Sequence, residues 1–158
     1  MIPQTRPRPV SRLLPALSAT VLAVAALGTA CGAYLQLADV LLARGLPEEA
    51  LAATELEPNE ESRLVGRALT YHALGRRGDA DAALAVATNR YGQRYPVQLA
   101  EVYAYRGEAE RAFAALTAAF DAGDPALLEI ASDSYLKPLH RDPRYQALLR
   151  RLKLPQQA

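Results

Sequence analysis

The sequence predicts an all-α fold of stacked antiparallel helix pairs closed by short C-terminal helices, and three observations predict it. Apolar residues make up 51% of the 158-residue chain, much of that fraction alanine, while aromatics are 6% and tryptophan is absent. Alanine favours helix, whereas strands draw on β-branched and aromatic side chains. Apolar side chains also recur at intervals of three and four, the period of a helix with one buried face. Finally, a signature of glycine, four mostly acidic or small residues, alanine and a larger apolar residue occurs three times, from Gly45 to Leu51, Gly78 to Leu84 and Gly107 to Phe113. These glycines stand 33 and 29 residues apart, within the period range of helical repeat proteins.

Composition also narrows the function. The length suits one domain. With 18 Lys+Arg against 17 Asp+Glu the net charge is +1, which points to no polyanionic partner, and nucleic acid is not expected. Cys31 is the single cysteine, so neither an internal disulfide framework nor a thiolate-rich zinc site can form.

Residues 1–30 read as a signal-like or hydrophobic segment. Arg6, Arg8 and Arg12 open it without an acid, Leu13 to Leu27 are apolar, and Gly28, Thr29 and Ala30 are small, the three regions of a secretory signal with cleavage after Ala30. Leu27 lies four residues before Cys31, one more than a lipoprotein signal usually has. A permanent span would be marginal, since the seven Leu and Val side chains supply roughly 2 to 4 kcal/mol while Pro15, Ser18, Thr20 and Gly28 subtract. A buried Ala-rich helix, or the remains of an upstream helix pair in a shortened chain, is the competing reading. Export, to the periplasm or onto a membrane through residues 13–31, is preferred over a cytoplasmic location.

Residues 31–122 hold three helix pairs. Each glycine accepts the left-handed conformation that ends one helix, and the acids after it suit the positive end of the next. Tyr34, Leu37, Leu41 and Leu42 mark the first leading helix, Leu64, Ala68, Tyr71 and Leu74 the second, and Leu99, Val102 and Tyr103 the third. Trailing helices are expected from near Glu48, Ala80 and Glu108, the first cut short by Glu57-Pro58-Asn59. The alanine five residues after each glycine lets paired helices approach closely.

Residues 123–158 form the closing segment. Asp124-Pro125 and Asp142-Pro143 are helix-start signals, so two short helices are expected. Leu128, Ile130, Leu136, Leu139, Tyr145, Leu148, Leu149 and Leu152 are the apolar cover for the last repeat.

Catalytic chemistry has little support, and no cofactor or metal site is expected. His72 and His140 lack Cys or carboxylate partners at ligand spacing; His140 falls near a helix end, where a cation is tolerated. Glu48, Glu49, Asp79, Asp81, Glu108 and Glu110 recur at one place in each unit, which marks helix starts rather than acid–base pairs. Gly75, Gly78, Gly92 and Gly107 do not form a phosphate loop. The basic end, Arg141, Arg144, Arg150, Arg151 and Lys153, suits the last turn of a helix.

The Gly45/Ala50, Gly78/Ala83 and Gly107/Ala112 pairs resemble the tetratricopeptide repeat family, and the tail resembles the end-of-group segment of bacterial arrays of that family. The family's tryptophan is missing, and Tyr71 occupies a position it gives to a small residue. The resemblance implies a right-handed superhelical stack whose concave wall comes from the leading helices: Leu35, Asp39, Leu42, Val65, His72, Arg76, Arg94, Glu101 and Tyr105. That wall implies a non-catalytic adaptor binding a protein or peptide of unstated identity. The alternatives are an exported or lipid-anchored envelope component and the C-terminal remnant of a larger signalling protein. Self-association through an incompletely covered first repeat is also expected.

Overall fold

The computed structural model describes residues 32–155. They form α1 (Ala33–Ala43), α2 (Pro47–Leu56), α3 (Glu60–Ala73), α4 (Arg77–Tyr91), α5 (Pro96–Tyr105), α6 (Ala109–Ala122) and α7 (Pro143–Leu152). Three 3-10 turns, Pro125–Leu128, Ile130–Ser132 and Lys137–Leu139, lie between α6 and α7. Among the described residues there is no strand, and no helix is long and apolar enough to cross a membrane. The apolar segment, its cleavage after Ala30 and the acylation of Cys31 lie outside these residues.

Antiparallel neighbours pair as α1·α2, α3·α4 and α5·α6. The leading helices also touch in order, α1 against α3 and α3 against α5, so they form one layer. Each pair turns in the same way. Gly45, Gly75 and Gly107 take φ of 73°, 71° and 77°, a region costly for any residue with a Cβ. Their N–H groups donate to the carbonyls of Leu42, His72 and Ala104, and the next N–H donates to Leu41, Tyr71 and Tyr103, all at 2.8 to 3.0 Å. This double closure satisfies carbonyls that the helix end would leave bare.

The second turn corrects the expected register. Gly78 lies inside α4, and Gly75 makes the left-handed turn in its place. The stretch from Gly75 to Ala83 offers the glycine–alanine spacing twice, as Gly75/Ala80 and Gly78/Ala83, and the acid after Gly78 favours the wrong copy. In the observed register the glycines are 30 and 32 residues apart, and Ala50, Ala80 and Ala112 are each 0% exposed. The alanines therefore sit where paired helices meet. The recurring acids serve helix starts and ion pairs: Glu48, Glu49, Asp79 and Glu110 occupy first turns, while Asp81 and Glu108 pair with Arg106 and Glu110 with Arg144.

The first two pairs are joined at a break that the sequence anticipates. α2 ends at Leu56, and Asn59 starts α3 by accepting the Ser62 N–H at 2.9 Å. Glu57, 1% exposed, turns back to accept the N–H groups of Gly32 and Leu35 at 3.4 Å. A buried carboxylate is thus placed at the positive end of α1. Gly66 brings α3 close, for a Cβ there would lie 2.8 Å from Thr54 Cγ2 and 3.1 Å from Leu35 Cδ1. The first pair keeps a small core of its own, Leu37, Ala38, Leu41, Ala50 and Ala53.

The closing segment departs from two helices. Asp124 accepts the Ala126 N–H at 2.9 Å, but the turn it starts is 3-10 and ends at Leu128. Asp142 accepts the Arg144 N–H at 2.8 Å and starts α7. Leu128, expected as cover, is 63% exposed, whereas Ile130, Leu136, Leu139, Tyr145, Leu148 and Leu149 are buried. Arg144 and Arg151 lie over the Phe113 and Phe120 rings of α6 at 4.0 and 3.9 Å, so two cations of the basic end bind this chain's own aromatics. The buried Tyr145 hydroxyl donates to the Ile130 carbonyl at 2.7 Å. The Asp133 N–H also donates to that carbonyl, at 3.2 Å, so Tyr145→Phe removes one bond of two and is expected to cost about 0.5 to 1.5 kcal/mol. Denaturant unfolding checks this: a midpoint equal to wild type would show that the bond is not holding the cap.

Candidate functional site

Where the closing segment folds back over the leading helices it leaves a cleft of about 320 Å³. α1 supplies Asp39, α5 supplies Gln98 and Glu101, and the segment after α6 supplies Glu129, Asp133 and Tyr135, with Val97 and Ile130 as apolar lining. The Tyr135 hydroxyl donates to Asp39 Oδ1 at 2.6 Å, bridging residues 96 positions apart. Asp133 holds the local turn by accepting the Tyr135 N–H at 2.7 Å. From that point rings continue along the face. Tyr135 meets Tyr105 edge to face at 5.4 Å, and Tyr105 meets His72 of α3 at 5.7 Å.

Burial sets the charge state. It pushes the Asp39 carboxyl up to about 6, with the Tyr135 hydrogen bond opposing and the Asp133 charge reinforcing the shift. Glu101 is driven well above the usual carboxylate range, first by burial and then by the charge of Asp133 and a hydrogen bond with it. Asp133 is raised by burial, against the stabilising Tyr135 N–H. Both carboxyls are thus held above their ordinary range, and neighbouring acids of this kind resist being ionised together. Burial lowers His72, helped by Arg106 and Arg77, so its neutral form is favoured. The Gln98 Oε1 is closed to solvent and has no hydrogen-bond partner within the protein. The cleft is therefore rich in acceptors. No group of three or more His, Cys, Asp or Glu side chains among the described residues is arranged to hold a metal ion.

Of the nine wall residues expected from the sequence, Asp39 and Glu101 line the cleft, and His72 and Tyr105 continue from it along the ring series. The others lie elsewhere. Val65 is 5% exposed and belongs to the core, which corrects its expected place on the surface. The observed register explains this, because Val65 stands ten residues before its turn glycine, as Val97 does, and Val97 is buried too. Leu35 lies against the Gly66 approach, and Leu42 packs half-buried on the core. Arg76 sits at the start of α4, 4.4 Å from the Tyr71 ring and paired with Asp79 at 2.6 Å. Arg94 is exposed beside Tyr95 between α4 and α5.

His140 stands at the end of a short helical element, where the sequence places it. It stacks on Tyr145 at 5.0 Å, with its Nε2 buried and unpartnered. Burial and the nearby Lys137 lower its pKa, which favours the neutral ring at a position where a cation is tolerated. Sequence reasoning did not find Gln98, Glu129, Asp133 or Tyr135 as site residues. The Asp133-Ser134-Tyr135 turn was legible only as part of a cap, since nothing local ties it to Asp39. Comparison of the chain with protein-family models, curated proteins and solved structures finds no match in any of the three.

Proposed function

We propose that this chain is a non-catalytic interaction module of the tetratricopeptide repeat type, which holds a segment of a partner protein against its leading-helix face. One observation carries the reading: Asp39 and Glu101, from the first and third leading helices, line one open cleft with the closing segment's Tyr135, and Tyr105 and His72 extend that face from Tyr135 to the second leading helix. The three glycine turns with a fully buried alanine five residues on support it. So does the mixture of rings and charges, which suits an extended peptide better than a small apolar ligand. The superhelical stack and the absence of catalysis are part of the same proposal.

Panning a displayed random-peptide library against the full chain tests it, with hydrogen exchange on the complexes that result. Peptides are expected to protect residues 35–42, 97–105 and 129–136, and Tyr105→Ala is expected to weaken them about tenfold or more, as for a central aromatic anchor. Protection confined to other surfaces, or full affinity in Tyr105→Ala with unchanged helicity, would remove this face from the assignment.

A further inference from the structure

We propose that the cleft between α1, α5 and the closing segment takes the guanidinium of an arginine side chain presented by the partner segment. The assignment rests on the interaction reading above and names the chemistry that this face selects. Asp39, Glu101, Glu129 and Asp133 line one cavity from three parts of the fold. The Gln98 Oε1 adds an acceptor with no partner in the protein and no access to solvent. A buried acceptor in that state is costly, and a donor entering beside it removes the cost. The Tyr135 hydroxyl, a donor on this wall, is already committed to Asp39. Such a wall suits a ligand with several N–H groups and positive charge.

Guanidinium fits better than ammonium. Its planar fork carries five N–H donors, enough to reach acceptors on separate elements, whereas an ammonium is a compact point charge. The cavity of about 320 Å³ admits the group together with its aliphatic stem. The adjoining Tyr105 and Tyr135 rings offer a surface of the kind on which this chain already lays arginines, as Arg111 lies over Tyr103 at 4.2 Å and Arg76 over Tyr71 at 4.4 Å. A carboxylate or phosphate would face four acidic side chains here.

The test is a nuclear magnetic resonance titration of the full chain with N-acetylarginine methylamide, beside its citrulline and lysine counterparts. Arginine is expected to shift the Gln98 side-chain amide, Glu101 and Tyr135, with citrulline weaker by about tenfold and lysine by severalfold. Asp39→Asn and Glu101→Gln should each reduce arginine binding about fivefold or more with the fold intact, as thermal melting reports. Equal binding of citrulline or lysine, or undiminished binding in both variants, would overturn the assignment. So would arginine binding seen only in the R6Q/R8Q/R12Q chain, which would give the cleft to this chain's own amino-terminal arginines. Library peptides that occupy the face and keep their affinity when every arginine becomes citrulline would leave the interaction reading standing and sink this one.

Discussion

Replacing Asp39 with asparagine is expected to stabilise the fold at pH 8 and to change it little at pH 4. The Asp39 carboxyl titrates near 6 in the folded chain against an ordinary 3.8, so folding favours its protonated form. That contribution is fully present below the unfolded value and is lost as pH rises through the folded one. At pH 8 the fold therefore holds an ionised carboxylate under partial burial. The difference between about 6 and 3.8 corresponds to about 3 kcal/mol. Asparagine is neutral at every pH and its Oδ1 still accepts the Tyr135 hydroxyl, so the variant avoids that cost without giving up the bond. Thermal melts at pH 4, 6 and 8 should show a gain that grows with pH, approaching about 10 °C at the top of the range. Glu101→Gln should move in the same direction, because Asp133, Asp39 and Glu129 face it with like charge. An equal loss of stability at pH 4 and pH 8 in Asp39→Asn would instead make this carboxylate a structural support. Acids that cost stability where they stand are candidates for function, and a cation entering the cleft offsets that cost.

The helix pairs were legible in the sequence because their signals are local. A glycine that must turn left, an acid after it and an alanine at the contact all lie within seven residues, and Glu57-Pro58-Asn59 marks the break between α2 and α3 just as locally. Half of the site was legible for the same reason. Asp39, Glu101, His72 and Tyr105 lie on leading helices, and a repeat places such residues on a shared face. The other half was not, because Tyr135 reaches Asp39 across 96 residues through a fold of the closing segment that no period encodes. Two Asp-Pro signals look alike, yet one starts a 3-10 turn and the other an α-helix. The difference lies in the apolar pattern downstream of each proline: α7 lays Tyr145, Leu148 and Leu149 on one buried face, whereas the first turn alternates buried Leu127 with exposed Leu128. The misplacement of Val65 has the same origin as that of the second turn, a slip of three residues.

That slip makes a sharp prediction, because Gly75 and Gly78 should respond to alanine with opposite signs. Gly75 has φ of 71° with open space around it, so Gly75→Ala meets no clash and incurs only backbone strain, about 1 to 2 kcal/mol. Gly78 lies in α4 with nothing within 4 Å of an added Cβ, so Gly78→Ala should stabilise by about 0.5 to 1 kcal/mol. Ala80→Leu should have the largest effect of the three. Ala80 is 0% exposed at the crossing of α3 and α4, and three added heavy atoms must displace a helix at about 1 to 3 kcal/mol or more. Urea titrations of the three variants decide the register, and a stabilising Gly75→Ala beside a destabilising Gly78→Ala would restore the 33-residue interval. The consequence reaches the cleft. Counted from Gly45 and Gly107, Asp39 and Glu101 both stand six residues before their turns, while the same place before Gly75 holds Leu69, 1% exposed. Two outer repeats thus present a carboxyl from one equivalent position, and the middle repeat buries an apolar side chain there. A helix-pair stack with this register brings the two acids to one side of the leading-helix layer, where the closing segment completes the acidic wall.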